Sequence, residues 1–177
     1  MKQFENYNLE LKIETKTEEI LALLETWKPD IVGLSHYVWN KSLSNFMCSY
    51  AKKINPDCLC VLGGPEFPAG TGARKIENND RDKTYDKCLS YLISMPSVDY
   101  FSYSDGEVTF LEIVKNYIKN NCSIKLMKDK DKSMKGSAYV SKDKNRLIVG
   151  EYFPRIGMDG SVKVAGRDII PSPYTTG

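Results

Sequence analysis

Two runs decide how this chain is read: Ile31-Val32-Gly33-Leu34-Ser35-His36-Tyr37-Val38-Trp39-Asn40 and Val61-Leu62-Gly63-Gly64-Pro65-Glu66-Phe67-Pro68. Each starts as a continuous apolar stretch and ends abruptly in residues that are polar, aromatic or lack a side chain. A short continuous apolar stretch suits a strand covered by helices on both faces. In a parallel sheet the ends of neighbouring strands open onto one crevice, and ligands bind there. The pair therefore predicts a small-molecule site on the C-terminal edge of a parallel sheet.

The flanking sequence supports that reading. Leu9-Glu10-Leu11-Lys12-Ile13 alternates with the period of a half-buried strand. Thr15-Lys16-Thr17-Glu18 has capping-box spacing and opens a helix with an apolar stripe at Ile20, Leu21, Leu24 and Trp27. Pro29 ends it. After the first run, Asn40 is placed to cap a helix. Leu43, Phe46, Met47, Tyr50, Ala51 and Ile54 mark one face of it at i, i+3, i+4, i+7 spacing, and Asn55-Pro56-Asp57 stops it. Cys58–Leu62 is the next buried strand. A polar insert runs from Ala69 to about Asp82, followed by a helix holding Leu89, Tyr91, Leu92 and Ile93. Val98–Tyr103 is strand-like. Asp105-Gly106-Glu107 turns it into a helix of Phe110, Leu111, Ile113, Val114, Tyr117 and Ile118.

This alternation predicts an α/β fold, a Rossmann- or flavodoxin-like parallel sheet with helices on both faces, over residues 1–124. Residues 125–177 differ. Lys125–Lys135 reads as a solvated loop. Ser137–Val140 and Arg146–Val149 flank Asp143-Lys144-Asn145 as a β-hairpin. Beyond it, periodicity fades toward Ile170-Pro171-Ser172-Pro173-Tyr174, an extended connector.

Composition narrows the function classes. The 177 residues suit one domain, and the 41% apolar share suffices for a core. A net charge of +2 gives no strong draw to nucleic acid or membranes. No apolar run reaches membrane-spanning length and Met1–Asn6 is no signal peptide, which places the protein in the cytoplasm. The five cysteines, Cys48, Cys58, Cys60, Cys88 and Cys122, lack framework spacing and read as free thiols. Cys58 and Cys60 share a strand face, but no second pair completes a metal site.

Right-handed crossovers bring the strand C-termini to one edge. That edge receives Ser35–Asn40, Gly63–Phe67 and Ser104–Glu107. Gly63-Gly64 lets a ligand touch backbone directly. Ser35 and Asn40 offer hydrogen bonds, and Tyr37 and Trp39 offer flat surfaces. Gly106-Glu107 fits either a ligand loop or an ordinary capped turn. There is no Walker sequence. Gly70-Thr71-Gly72 begins a dinucleotide pattern, but Lys75 stands at the third glycine position.

The segment from about Lys28 to Gly177 resembles the cobalamin-binding domain at the N-terminus of radical S-adenosylmethionine enzymes. The matching pieces are Lys28-Pro29-Asp30-Ile31-Val32-Gly33-Leu34-Ser35, Tyr37-Val38-Trp39-Asn40, Ile54-Asn55-Pro56, Leu62-Gly63-Gly64-Pro65, Val98-Asp99-Tyr100 and Gly106-Glu107-x-x-Phe110. The tail at Ile170–Tyr174 resembles the junction before the catalytic barrel. The resemblance implies a module that holds cobalamin, and with it a cobalt ion, for a radical S-adenosylmethionine barrel in cis or in trans, in a protein of methyltransferase type. It implies a corrin lying across the sheet edge, with the nucleotide tail slotted between strands. It assigns those contacts to Ser35, Tyr37, Trp39, Asn40, Gly63, Gly64 and Pro65, with Gly106 and Glu107 closing the far side.

Three departures accompany it. The cluster-binding Cys-x-x-x-Cys-x-x-Cys spacing is absent, so S-adenosylmethionine and the iron–sulfur cluster belong to a separate domain and no catalytic residue is assigned here. The cobalt-ligating pattern Asp-x-His-x-x-Gly is absent as well. Leu34 stands two before His36 and Trp39 three after it. His36 is therefore open to three readings: a core or surface residue, a contact to the lower corrin face, or a cobalt ligand. Finally, the family's sheet begins with a central strand and helix upstream of Leu9–Ile13, and residues 1–8 are too short and polar to supply them. Two other functions use the same crevice: a stand-alone α/β enzyme acting on a nucleotide or sugar through His36, Glu66 or Glu107, and a degenerate interaction domain.

Overall fold

A computed structural model describes residues 9–68, 81–104, 106–129, 131–143 and 146–151. Helix α1 (Thr17–Trp27) leads to strand β1 (Ile31–Ser35). A 3-10 turn (Val38–Asn40) and α2 (Lys41–Ile54) precede β2 (Leu59–Gly63). Helix α3 (Arg81–Ile93), β3 (Tyr100–Ser102), α4 (Gly106–Lys119) and the short α5 (Ile124–Lys128) follow, then β4 (Ser137–Val140) and β5 (Leu147–Val149). The five strands form one sheet in the order β1-β2-β3-β4-β5. β1, β2 and β3 are parallel, whereas β4 and β5 are antiparallel additions.

The expected α/β architecture is present, with helices on both faces. On one face, Leu24 of α1, Met47, Cys48 and Ala51 of α2, and Cys88 and Leu92 of α3 pack against Cys60, Leu62 and Phe101. On the other, Ile113 and Tyr117 of α4 and Met127 of α5 cover Leu59, Val61, Tyr100 and Tyr139. β2 lies between β1 and β3, with helices over both faces, so its side chains are buried on alternate faces. That is why its sequence is apolar without alternation.

Several expectations are corrected. Leu9–Ile13 is not a strand: Leu9, Leu11 and Ile13 are 58%, 79% and 80% exposed, and the segment pairs with nothing in the described sheet. Period-2 alternation forms a strand only where a neighbour supplies the ladder. The expected capping box at Thr15 does not form either. The N-cap of α1 is Lys16, with no side-chain cap hydrogen bond. Part of the Lys125–Lys135 loop is helical, because the Ser123 hydroxyl accepts the Leu126 N–H and caps α5. The expected hairpin is present, and it extends the parallel sheet through Phe101↔Ala138. The insert between 69 and 80 and the tail beyond Glu151 lie outside the described residues. All five cysteines are free, and only Cys122 is exposed.

Candidate functional site

The first two expected loops meet at the C-terminal edge of β1 and β2. Strand register pairs Ser35 with Gly63. One residue on, His36 N–H donates to the Gly63 carbonyl at 2.7 Å, so the two strands stay paired to their tips. Asn40 then folds the β1 loop back on itself. Its side chain accepts from Tyr37 N–H (2.7 Å) and donates to the Ser35 carbonyl (2.9 Å). Asn40 is thus not the expected side-chain cap of α2 but the clasp of the loop.

The clasp holds Tyr37 and Trp39 in parallel contact, ring centroids 4.7 Å apart and planes within 8°. Trp39 is 80% exposed. An indole stacked on one side and bare on the other is a platform with its second face unused. Across the crevice, Lys41 reaches Glu66 at 4.0 Å and lies 4.4 Å from the centroid of Tyr91, linking the β1 and β2 loops.

The two glycines differ in kind. Gly64 has φ 144°, and a Cβ there would lie 2.2 Å from the His36 carbonyl oxygen. Its glycine is demanded by the fold. Gly63 is not so constrained. A Cβ there would meet only Ser102, at 3.5 Å, which is ordinary contact. The space beside Gly63 is room that the fold leaves open. Pro65 is exposed next to it, and Gly106 and Glu107 are exposed in the first turn of α4.

His36 is fully buried, turned into the core beneath the platform. Its Nδ1 is 2.5 Å from Ser44 Oγ and its Nε2 2.6 Å from the Tyr91 hydroxyl. Ser44 Oγ also lies 3.1 Å from the Asn40 carbonyl, to which it donates. With its proton used there, the hydroxyl accepts from Nδ1–H, which leaves Nε2 to accept from Tyr91. Both ring nitrogens are spent on protein partners. The ring also meets Phe101 edge-on at 5.6 Å. Burial pulls the His36 pKa below its usual value, Glu66 opposes this and Lys41 reinforces it. The same burial pushes the Tyr91 phenol up to about 12.

The sign of the resulting pH dependence is fixed. The folded state binds the His36 proton less readily than the unfolded chain does. Its contribution to stability is therefore complete above about pH 6.5, the ordinary imidazole pKa, and is lost progressively as pH falls below it. We expect the melting temperature to drop on acidification from pH 7 to 5.5, and His36→Gln to flatten that part of the profile. A wild-type profile flat over this range overturns the assignment.

The Ser102 and Thr109 hydroxyls are buried, at 2% and 0% residue exposure, with no hydrogen-bond partner among the described residues. Likewise no group of three or more His, Cys, Asp or Glu side chains able to hold a metal occurs among the described residues. No described helix is long and apolar enough to cross a membrane.

No known protein-family model matches the chain. Over 94 residues it is 27% identical to the cobalamin-dependent radical SAM methyltransferase TokK of Streptomyces tokunonensis. The similarity takes in 53% of this chain but only 11% of that much longer protein.

Proposed function

We propose that this chain is a cobalamin-binding module that presents cobalamin to a radical S-adenosylmethionine barrel, in a protein of methyltransferase type. The observation that carries the reading is the paired tip of β1 and β2: an open notch at Gly63 beside the Ser35 hydroxyl, flanked by an unused aromatic platform. The 94-residue similarity to a cobalamin-dependent enzyme supports it.

The residues fit the group. Gly63 and Pro65 leave space for a macrocycle to approach backbone. Trp39, stacked on Tyr37, offers its free ring face as an apolar surface, and Asn40 holds the loop that carries it. Gly64 keeps the two tips together. Gly106 and Glu107 border the crevice from α4. Cobalamin supplies methyl-transfer chemistry through its cobalt when bound. The protein's own part is to bind and orient it and to exclude water from one face. His36 takes no part as an axial ligand in this reading, since Tyr91 and Ser44 occupy its nitrogens; it braces the loop from below.

Mixing the purified chain with hydroxocobalamin tests the proposal. Red absorbance is expected to comigrate with the protein on gel filtration, and Trp39→Ala to weaken the complex roughly tenfold, as expected for one large stacking contact. Absence of comigrating absorbance, or preferential retention of ATP or NAD over cobalamin, overturns it.

A further inference from the structure

The edge of the sheet opposite the Ser35–Gly63 row carries a second concavity, of about 530 Å³. Lysines from three parts of the chain line it: Lys52 from the last turn of α2, Lys125 and Lys128 from α5, and Lys142 from the turn between β4 and β5. Lys125 and Lys128 are three apart in the helix, so they project from one side of it. Asp57, in the connection into β2, is the only acidic residue among the described residues that line the cavity.

The lysines are unequally matched. Lys52 and Lys128 share one carboxylate, that of Asp99, at 2.8 and 3.4 Å. Their side chains are only 21% and 17% exposed. One carboxylate neutralises one of these two charges. A second ammonium group held largely out of water is costly without a counter-charge of its own. Lys128 registers this: burial lowers its pKa and Lys52 adds to the effect, while Asp99 opposes both. Asp99 is committed further, since the oxygen facing Lys52 also accepts the Cys60 N–H. At the rim, Lys142 meets Asp129 at 3.1 Å, but the two side chains are 58% and 50% exposed. Such a pair contributes little in water and exchanges readily. Lys125 is exposed and has no ion pair among the described residues.

A lysine ammonium is a compact charge with three donors, suited to phosphate oxygens. A phosphate monoester carries about two negative charges at neutral pH and several acceptor oxygens, which supplies the missing counter-charge. The cavity exceeds what a phosphate ion needs and falls in the range of small-molecule sites.

The geometry points to a second ligand site at this edge, where Lys52, Lys125, Lys128 and Lys142 bind the phosphate group of a small sugar phosphate. Lys52 and Lys128, held by Asp99, meet the phosphate from inside. Lys125 and Lys142 meet it from the rim, Lys142 exchanging Asp129 for a ligand oxygen. Asp57 repels the phosphate and faces the body of the ligand instead, where a carboxylate accepts sugar hydroxyls. The site lies across the sheet from the proposed cobalamin crevice and does not rest on that reading.

The experiment uses the whole chain, as wild type, Lys125→Ala, Lys142→Ala and Lys16→Ala. Each is titrated calorimetrically with ribose 5-phosphate, inorganic phosphate and ribose at fixed ionic strength. Lys16, the exposed N-cap of α1, controls for the loss of one positive charge elsewhere. The wild type is expected to bind ribose 5-phosphate, to bind inorganic phosphate about tenfold more weakly, and to ignore ribose. Lys125→Ala and Lys142→Ala are each expected to weaken ribose 5-phosphate binding roughly three- to tenfold, with Lys16→Ala unchanged. Inorganic phosphate bound as tightly as ribose 5-phosphate overturns the sugar phosphate and assigns the site to the free ion. Absence of binding by either phosphate, or an equal loss in Lys16→Ala, overturns the site itself. Competition between ribose 5-phosphate and hydroxocobalamin places the phosphate in the crevice and overturns it as well. Failure to bind hydroxocobalamin at all overturns only the cobalamin reading.

Discussion

Gly64→Ala is expected to destabilise the protein by about 3 kcal/mol or more, a fall in melting temperature of roughly 6–12 °C for a chain of this size. Two terms add. At φ 144° an L-residue is strained whatever the space around it. The added Cβ also lies 2.2 Å from the His36 carbonyl oxygen, about 1 Å inside normal contact. The obstacle is backbone, so no side chain can rotate away. The tips of β1 and β2 must part instead, and the 2.7 Å bond from His36 N–H to the Gly63 carbonyl is the first casualty. Gly63→Ala is the contrast: its Cβ meets Ser102 at an ordinary 3.5 Å, and stability should stay within about 0.5 kcal/mol. Gly33→Ala falls between. Its Cβ lies 2.9 Å from Cε2 of Phe110, a partly buried ring able to shift. Urea denaturation of the three variants checks the order. A Gly64→Ala protein as stable as Gly63→Ala refutes the distinction.

That distinction marks where sequence reading stops. Gly63-Gly64 reads as one motif for close backbone approach, yet one glycine serves the fold and the other leaves a space. Only the backbone conformation separates them. The parts legible in advance were those decided locally. β1 and β2 are apolar because both faces are covered, and the stripe Met47, Ala51 and Ile54 follows from helical period. The parts missed depend on partners distant in the chain. Leu9–Ile13 has a strand's pattern but no ladder to join. His36 owes its position to Tyr91, 55 residues away. The Ser35 and Gly63 loops do converge as the two apolar runs imply, because parallel register brings equivalent strand ends together.

Asp99→Asn is expected to cost about 3–5 kcal/mol, the effect of breaking a buried ion pair and leaving a charge behind. Asp99 is 8% exposed and precedes β3 at the opposite end of the strands from the Ser35–Gly63 row. Its carboxylate lies 2.8 Å from Lys52 and 3.4 Å from Lys128, and accepts the Cys60 N–H at 3.0 Å. Asparagine can keep the Cys60 bond but not the charge. Lys128 is the group most harmed. Burial already lowers its pKa, and the opposing pull comes from Asp99. Without that carboxylate the folded state holds the Lys128 proton less readily still, while the unfolded chain titrates near the ordinary lysine value of about 10.4. The unfolded state then binds more protons below that value, so the variant gains stability as pH rises toward it. The deficit of Asp99→Asn should therefore shrink between pH 7 and 9.5. Adding Lys128→Met should recover much of it at pH 7, since the methylene stem stays packed beside Tyr100 and Tyr139 while the stranded charge is gone. Guanidinium denaturation at the two pH values measures both effects. A deficit independent of pH and untouched by Lys128→Met refutes a stranded lysine as its cause. Because the ion cluster sits at the far edge, folded Asp99→Asn should bind hydroxocobalamin with wild-type affinity, which separates the residues that keep this sheet together from those that give its other edge a use.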